Sequence, residues 1–120
     1  MPTSKEDAET RQHRNLMKLL KAFARCRAFR QTMPVQYAHT LLLVVLYPGR
    51  SVEELAALAG IGQVLMSRHL RDIGPLNRHQ EPGFGLIDLT LDPKDMRRHI
   101  YVLTPKGKLL ARELSECLED

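Results

Sequence analysis

The most informative part of the sequence reads SVEELAALAGIGQVLMSRHLRDI, from Ser51 to Ile73. Ser51, followed three residues later by Glu54, is the signature of a capping box, in which each side chain binds the other residue's exposed backbone amide at the start of a helix. The helix that follows is short and rich in Leu and Ala. We expect it to end at Gly60, because glycine readily adopts the left-handed conformation found at helix C-termini.

A second short helix is predicted over 63–73, after the turn Gly60-Ile61-Gly62. Its apolar residues recur at helical spacing and should face a core; they are Met66, Leu70 and Ile73. Two short helices joined by a glycine-containing turn form a helix-turn-helix. Two ordinary packed helices are the alternative, but the capping box and the glycine turn favour the helix-turn-helix.

Helices are also predicted on both sides of this motif. The first, at 5–30, is amphipathic, with an apolar stripe of Leu16, Leu19, Phe23 and Cys26 and a basic stripe of Arg11, Arg14, Lys18, Lys21 and Arg25. The second, at about 34–47, is apolar almost all round, and its spacing places Ala38, Leu41, Leu42 and Val45 on one face. Thr104-Pro105 supplies the cap and first position of a final helix at 105–118.

Between the motif and the final helix, the sequence predicts a β-hairpin. Apolar and polar residues alternate from Ile87 to Leu91, and a second strand is predicted over about 98–103. The tip, residues 92–98 and hereafter the wing, exposes three cations: Lys94, Arg97 and Arg98. An arginine on such a protrusion can enter a narrow, electronegative minor groove. A charged turn that only keeps the protein soluble is the alternative.

Together these elements predict a mainly α protein with a small β-hairpin (α+β), a winged helix-turn-helix with flanking N- and C-terminal helices. The 120 residues fit a single winged-helix domain, 1–120. Within it we expect an N-terminal dimerisation helix at 5–30, a winged helix-turn-helix core at 34–107 and a C-terminal helix at 105–118.

The charge of the chain indicates an anionic partner. There are 18 Lys and Arg against 14 Asp and Glu, a net charge of +4. The positive charge lies in three blocks, 1–30, 61–79 and 92–108, with net charges of +5, +2 and +3, and the other stretches are acidic. Such blocks are typical of nucleic-acid-binding proteins but also occur by chance.

Several classes of protein are not expected. No apolar run approaches the ~20 residues of a membrane span, and the charged N-terminus is unlike a signal peptide, so we expect a cytoplasmic protein, nucleoid-associated when bound, with no membrane partner. The two cysteines, Cys26 and Cys117, form neither a disulfide framework nor a zinc site. A buried, inert Cys26 is favoured over a peroxide-sensing thiol. No catalytic constellation is present, and we expect no enzyme, no metal and no cofactor.

The exposed face of the second helix of the motif has the chemistry of a DNA reader. In a helix-turn-helix this helix lies in the major groove. Glutamine can bind adenine, arginine can bind guanine or phosphate, and valine can contact a thymine methyl group. The candidate DNA-binding residues on this face are Gln63, Val64, Ser67, Arg68 and Arg71, and Asn77 and Arg78 in the following loop are weaker candidates for a backbone contact. A solvated helix face is the alternative.

These segments resemble the MarR-type winged-helix transcription regulators. The resemblance covers about 34–110 and is carried by Ser51–Ala56, Gly60–Gln63, Ser67–Leu70 and Asp92–Arg97 with Leu103–Gly107. It implies a homodimer on pseudo-palindromic double-stranded DNA, with helix 63–73 in the major groove and Arg97 in the minor groove. The terminal helices would form the dimer interface through Leu16, Leu19, Phe23, Leu114 and Leu118. A small-molecule effector of unknown identity is a further possible partner.

The sequence departs from the family in three places. Met96 stands where a second wing arginine is common, eleven residues (74–84) separate Ile73 from Gly85 where the family has a shorter loop, and only thirteen residues follow Gly107. We therefore expect dimerisation to depend mainly on the first helix. The leading interpretation is a homodimeric repressor that acts by occupying a promoter. The alternatives are a winged-helix protein-interaction module without DNA binding, and an origin- or partition-type DNA binder of a mobile element.

Overall fold

The computed structural model describes residues 5–77 and 79–120, with side chains from Asp7 onward. These residues form five helices and two strands in the predicted order. They are α1 (Lys5–Phe29), α2 (Val35–Leu46), α3 (Val52–Ala59), α4 (Gln63–Asp72), β1 (Ile87–Asp92), β2 (Asp95–Leu103) and α5 (Pro105–Cys117). This is the predicted α+β winged helix-turn-helix with flanking helices. None of the described helices has the length and apolar character needed to cross a membrane.

The local chemistry of the helix-turn-helix agrees with the sequence. The Ser51 side chain accepts a hydrogen bond from the backbone amide of Glu54, and the Glu54 carboxylate accepts one from the amide of Ser51, so the capping box is complete. Gly60 ends α3 in the left-handed conformation, with a φ of 72°. In α4, Met66 and Leu70 are buried, and Ile73 is buried immediately after the helix. The capping box and Gly60 thus fix where α3 begins and ends, and the buried face of α4 fixes its rotation.

The core lies where α2 packs against α3, α4, α5 and β2. Its most deeply buried side chains are Leu41, Val44, Leu55, Met66, Leu70, Ile73, Leu86, Ile87 and Leu110. The prediction for α2 was wrong at Leu42, which is exposed together with Val35 and Leu46. Since every position from 41 to 46 is apolar, spacing alone could not tell which face of this part of α2 meets α3 and α4.

The β-hairpin is antiparallel and irregular at its tip. β1 and β2 pair from Ile87–Leu103 to Leu91–His99, and the next pair is Asp92–Asp95. The second strand therefore begins at Asp95 and not near Arg98 as predicted, and the turn itself is only Pro93-Lys94. Because residues 96–98 have no partner in β1, the wing bulges on the β2 side and carries its arginines there.

The stretch between Ile73 and Gly85, hereafter the insertion (residues 74–77 and 79–84), forms a second, smaller hairpin in which Leu76 and Pro82 pair antiparallel. The amide of Asn77 donates to the carbonyl of Glu81 at 2.8 Å, and the Asn77 side-chain oxygen accepts from the amides of His79 and Glu81. A Cβ at Gly83 would lie 2.3 Å from the carbonyl oxygen of Gly74, so this close approach requires glycine. The sequence predicted a loop here, and the structure adds that the described residues of this loop are paired.

Candidate nucleic-acid interface

α4 presents a face opposite to its buried residues. Gln63, Val64, Arg68 and Arg71 are exposed on it, and Ser67 is half-buried. No acidic side chain lies among these five residues. Within the described part of the chain, no hydrogen bond or ion pair engages Gln63 or Arg68, so both side chains are available to a ligand.

Arg71 has a different environment from Arg68. It lines a cavity of about 250 Å³ between α4 and the hairpin, together with Ser67 and Tyr101. Burial raises the pKa of Tyr101, and the positive charge of Arg71 partly opposes that rise. Arg71 therefore lies toward the hairpin, and Arg68 is the cation that projects from the middle of the exposed face.

The three predicted wing cations are not equivalent. Lys94 is exposed in the turn, and the Arg97 side chain is 93% exposed, with its Nε 3.2 Å from Oδ1 of Asp95. The Arg98 side chain is only 34% exposed. It is paired with Asp92 at 2.9 Å and also with Glu54 of α3. The expectation that the wing exposes three cations is correct for Lys94 and Arg97 and wrong for Arg98, because two carboxylates hold its guanidinium.

The insertion lies against the junction of α1 and α2. The Phe84 ring packs edge-on against Tyr37, with 5.5 Å between ring centroids, and Arg30 lies 4.8 Å above the Phe84 ring. The side-chain oxygen of Asn77 is committed to the turn described above. Arg78, the other loop candidate, lies outside the described residues. The structure thus gives Asn77 a role in shaping the loop.

The apolar stripe of α1 is largely uncovered. Leu16, Leu19 and Phe23 are 52%, 44% and 53% exposed, and Leu118 is 49% exposed, whereas Leu114 is 8% exposed and belongs to the core of the chain. Residues 7–17 of α1 are exposed throughout. Sequence reasoning missed other exposed apolar side chains on α1 and α5, namely Met17, Leu20 and Leu109, because they lie beside the predicted stripe.

The basic stripe of α1 is partly used to hold α5. Arg25 binds both carboxylate oxygens of Glu113, at 2.6 and 2.8 Å, and Lys18 pairs with Asp120. The hydrogen bond with Glu113 raises the pKa of Arg25, and the same bond lowers the pKa of Glu113. Arg25 and Lys18 of the stripe therefore have structural partners among the described residues.

Cys26, on the face of α1 that meets the core, is buried, as expected. Burial raises the pKa of its thiol, an effect that the neighbouring Arg25 only partly opposes. A raised pKa leaves less thiolate at neutral pH, which favours an unreactive side chain. Within the part of the chain that the structure describes, no three His, Cys, Asp or Glu side chains are grouped so that they could hold a metal ion.

Comparison with solved structures of other proteins gives the same fold as the one described above. No protein-family model matches the chain, and no curated protein matches it. Solved structures do match. The transcriptional regulator Tm0710 from Thermotoga maritima has a TM-score of 0.67 at 18% identity, over 94% of this chain and 72% of that one. A MarR family transcription regulator has a TM-score of 0.58 at 24% identity, over 92% and 71%.

A third match includes a nucleic acid. A variant of MepR from S. aureus, bound to an oligodeoxyribonucleotide, has a TM-score of 0.65 at 22% identity, over 95% of this chain and 76% of that one. At such identities the likeness establishes the arrangement of helices and hairpin. The predicted resemblance is confirmed at this level: the chain has the winged helix-turn-helix fold of MarR-type regulators.

Proposed function

We propose that the chain is a sequence-specific double-stranded-DNA-binding transcriptional regulator that acts as a homodimer and represses by occupying its operator. The observation that carries the proposal is the exposed face of α4. It combines Gln63, Val64, Ser67 and Arg68 without an acid, while the opposite face is fixed in the core. Such a face can hydrogen-bond to base edges without reorganising the protein.

Two kinds of contact follow from this placement. Gln63 and Arg68 can form bidentate hydrogen bonds with adenine and guanine, each worth about 1–3 kcal/mol of discrimination against the wrong base. Arg71, Lys94 and Arg97 supply charge for phosphates or, for Arg97, the minor groove. The 93% exposure of Arg97 makes its guanidinium free to turn from Asp95 toward DNA. Base contacts would then set the sequence preference, and the remaining cations most of the affinity.

The uncovered face of α1 supports the homodimer. Residues 7–17 of α1 are all exposed and gain little from the rest of the chain, and an isolated helical stretch of this length is marginal in water. The apolar side chains of α1 form a stripe that a second copy can cover, built from Leu16, Leu19 and Phe23 with Leu118, which directly follows α5. A two-fold dimer places two copies of α4 on successive turns of the major groove, which matches a pseudo-palindromic site.

A second candidate function is a protein-interaction module, and one observation favours it. Val64 and Leu65 are 70% and 45% exposed on α4, which is apolar surface where a DNA reader is usually polar. Val64 fits both functions, because a valine can contact a thymine methyl group. Leu65 has no such role in the DNA proposal.

The test is selection of bound duplexes from a random-sequence pool at near-physiological salt, followed by sequencing. The proposal predicts an enriched inverted repeat with half-sites about one helical turn apart. The matched control is Gln63→Ala with Arg68→Ala, which should still bind DNA but enrich no sequence. Binding of the unaltered chain without enrichment would contradict sequence-specific reading. No recovery of DNA even at low salt would contradict DNA binding and favour the protein-interaction module.

A further inference from the structure

One carboxylate, that of Glu54, joins the wing to the first helix of the helix-turn-helix. Its Oε1 accepts hydrogen bonds from the backbone amide and the hydroxyl of Ser51, both at 3.2 Å. Its Oε2 accepts one from Arg50 at 3.1 Å. Arg98, from the wing, forms an ion pair with the same Oε1. The cap of α3 therefore also serves as the anchor of the wing.

Arg98 contacts Glu54 through Nη2, and its other terminal nitrogen, Nη1, holds the turn of the wing. Nη1 donates to Oδ2 of Asp92 at 2.9 Å, and Oδ1 of Asp92 accepts from the backbone amide of Lys94, also at 2.9 Å. The Asp92 side chain is well buried for a wing residue. Arg98 thus forms a continuous bridge from the two-residue turn, through its guanidinium, to the start of α3.

Among the residues that the structure describes, few other contacts hold the wing against α3. A cleft of about 480 Å³ separates the two, lined by the cap residue Ser51, by residues 52–53 of α3, and by residues 95 and 97–99 of β2. Nearer the core, the amide of Tyr101 donates to the carbonyl of Arg50 at 3.0 Å. Beyond that bond the hairpin is a two-stranded ribbon, and such ribbons are marginally stable and strongly twisted. The angle of the wing therefore depends on the Arg98 bridge.

We propose that Arg98 is a positioning residue, which sets the orientation of the wing relative to α4 through Asp92 and Glu54 and does not itself contact DNA. This inference depends on the proposed function, because the orientation matters only if α4 and Arg97 must reach neighbouring grooves of one duplex. Arg97, one residue away and unbridged to α3, makes the contact. Arg98 determines where that contact falls.

The first readout needs no DNA. Hydrogen exchange of the backbone amides in residues 92–98 should accelerate at least several-fold in Arg98→Gln and in Glu54→Gln. Glutamine at position 54 keeps an oxygen for the cap of α3 and removes only the charge. Arg97→Gln is the matched control and should leave this exchange unchanged. Unchanged exchange in Arg98→Gln would overturn the proposal, whether or not the protein binds DNA.

The second readout is DNA affinity as a function of salt. Arg98→Gln should lower affinity about tenfold, equal to about 1.4 kcal/mol. In a protein that already carries Arg97→Gln, the Arg98→Gln substitution should change affinity less than twofold, because the DNA contact that Arg98 positions is already lost. A direct phosphate contact would instead lower the salt slope by a further ~0.9 in that background, and this result would overturn the positioning role. Failure of the unaltered chain to bind any DNA would contradict the proposed function, and the exchange experiment would still test the bridge.

Discussion

Replacement of Phe23 by alanine should weaken the homodimer strongly. Phe23 is 53% exposed in the single chain and lies in the middle of the apolar stripe of α1. A phenylalanine has a surface of roughly 200 Å², so about 100 Å² remains for a partner to cover. At about 25 cal/mol per Å², this corresponds to about 2.5 kcal/mol for each protomer and about 5 kcal/mol for each dimer.

This figure is an upper value, since alanine retains part of the surface and a flexible chain already hides some of it. Even half of it, about 2.5 kcal/mol, raises the dissociation constant of the dimer by roughly sixtyfold. Sedimentation equilibrium over a range of protein concentrations measures that constant directly. Thermal unfolding followed by circular dichroism should accompany it, because Phe23 also lines a cavity of its own chain with Cys26 and Met33.

The control is Leu58→Ala. Leu58 is similarly exposed, but it lies on α3, away from the stripe. We expect the dimer of the Leu58→Ala protein to have the same dissociation constant as that of the unaltered protein. A Phe23→Ala protein that remains folded and dimerises as tightly as the Leu58→Ala protein would refute the assignment of the α1 stripe to the interface.

Three further predictions concern single side chains. Arg68→Ala should cost about 1–3 kcal/mol of binding free energy and relax specificity at one base pair; in competition binding, an equal loss for all sequences would mean that Arg68 contacts phosphate instead. Arg97→Ala should weaken binding and reduce the salt slope by ~0.9; an unchanged slope in binding titrations would contradict its place in the minor groove. The hydrogen bond from Arg25 lowers the pKa of Glu113 below the ordinary glutamate value of 4.5. The pair therefore stabilises the folded state at pH values above 4.5, and this stabilisation is lost as the pH falls through the lowered pKa of Glu113. Urea unfolding should therefore show Glu113→Gln to be less stable than the unaltered protein at pH 7 and the difference to shrink in acid; a difference that does not depend on pH would contradict this role.

The parts of the fold that the sequence predicted are those set by local chemistry. The capping box of Ser51 and Glu54 and the left-handed Gly60 fix the limits of α3 within a few residues of chain. The spacing of Met66 and Leu70 fixes the buried face of α4, because polar residues separate them. Leu42, by contrast, lies in a continuous apolar run, so the spacing of apolar residues could not show which face of α2 is exposed. That face is known only from the packing in the structure.

The parts that the sequence could not predict depend on contacts between distant residues. Arg98 and Arg97 are adjacent and chemically identical, yet only Arg98 meets Glu54, which is 44 positions away. The paired insertion likewise depends on Gly83 approaching the backbone of Gly74, which no local motif encodes. Leu114 could be assigned to an apolar stripe of α5 from its spacing, but whether that stripe meets the core or a partner required the structure.

In the proposed complex, each protomer of the dimer reads the major groove with α4 and the minor groove with the wing. Hydroxyl-radical footprinting on the selected operator, compared with methylation protection of guanine N7, tests it most directly. We expect two protected major-groove segments about one helical turn apart, each flanked by a protected minor-groove segment that disappears in Arg97→Ala. A single protected segment, or minor-groove protection that persists without Arg97, would contradict it.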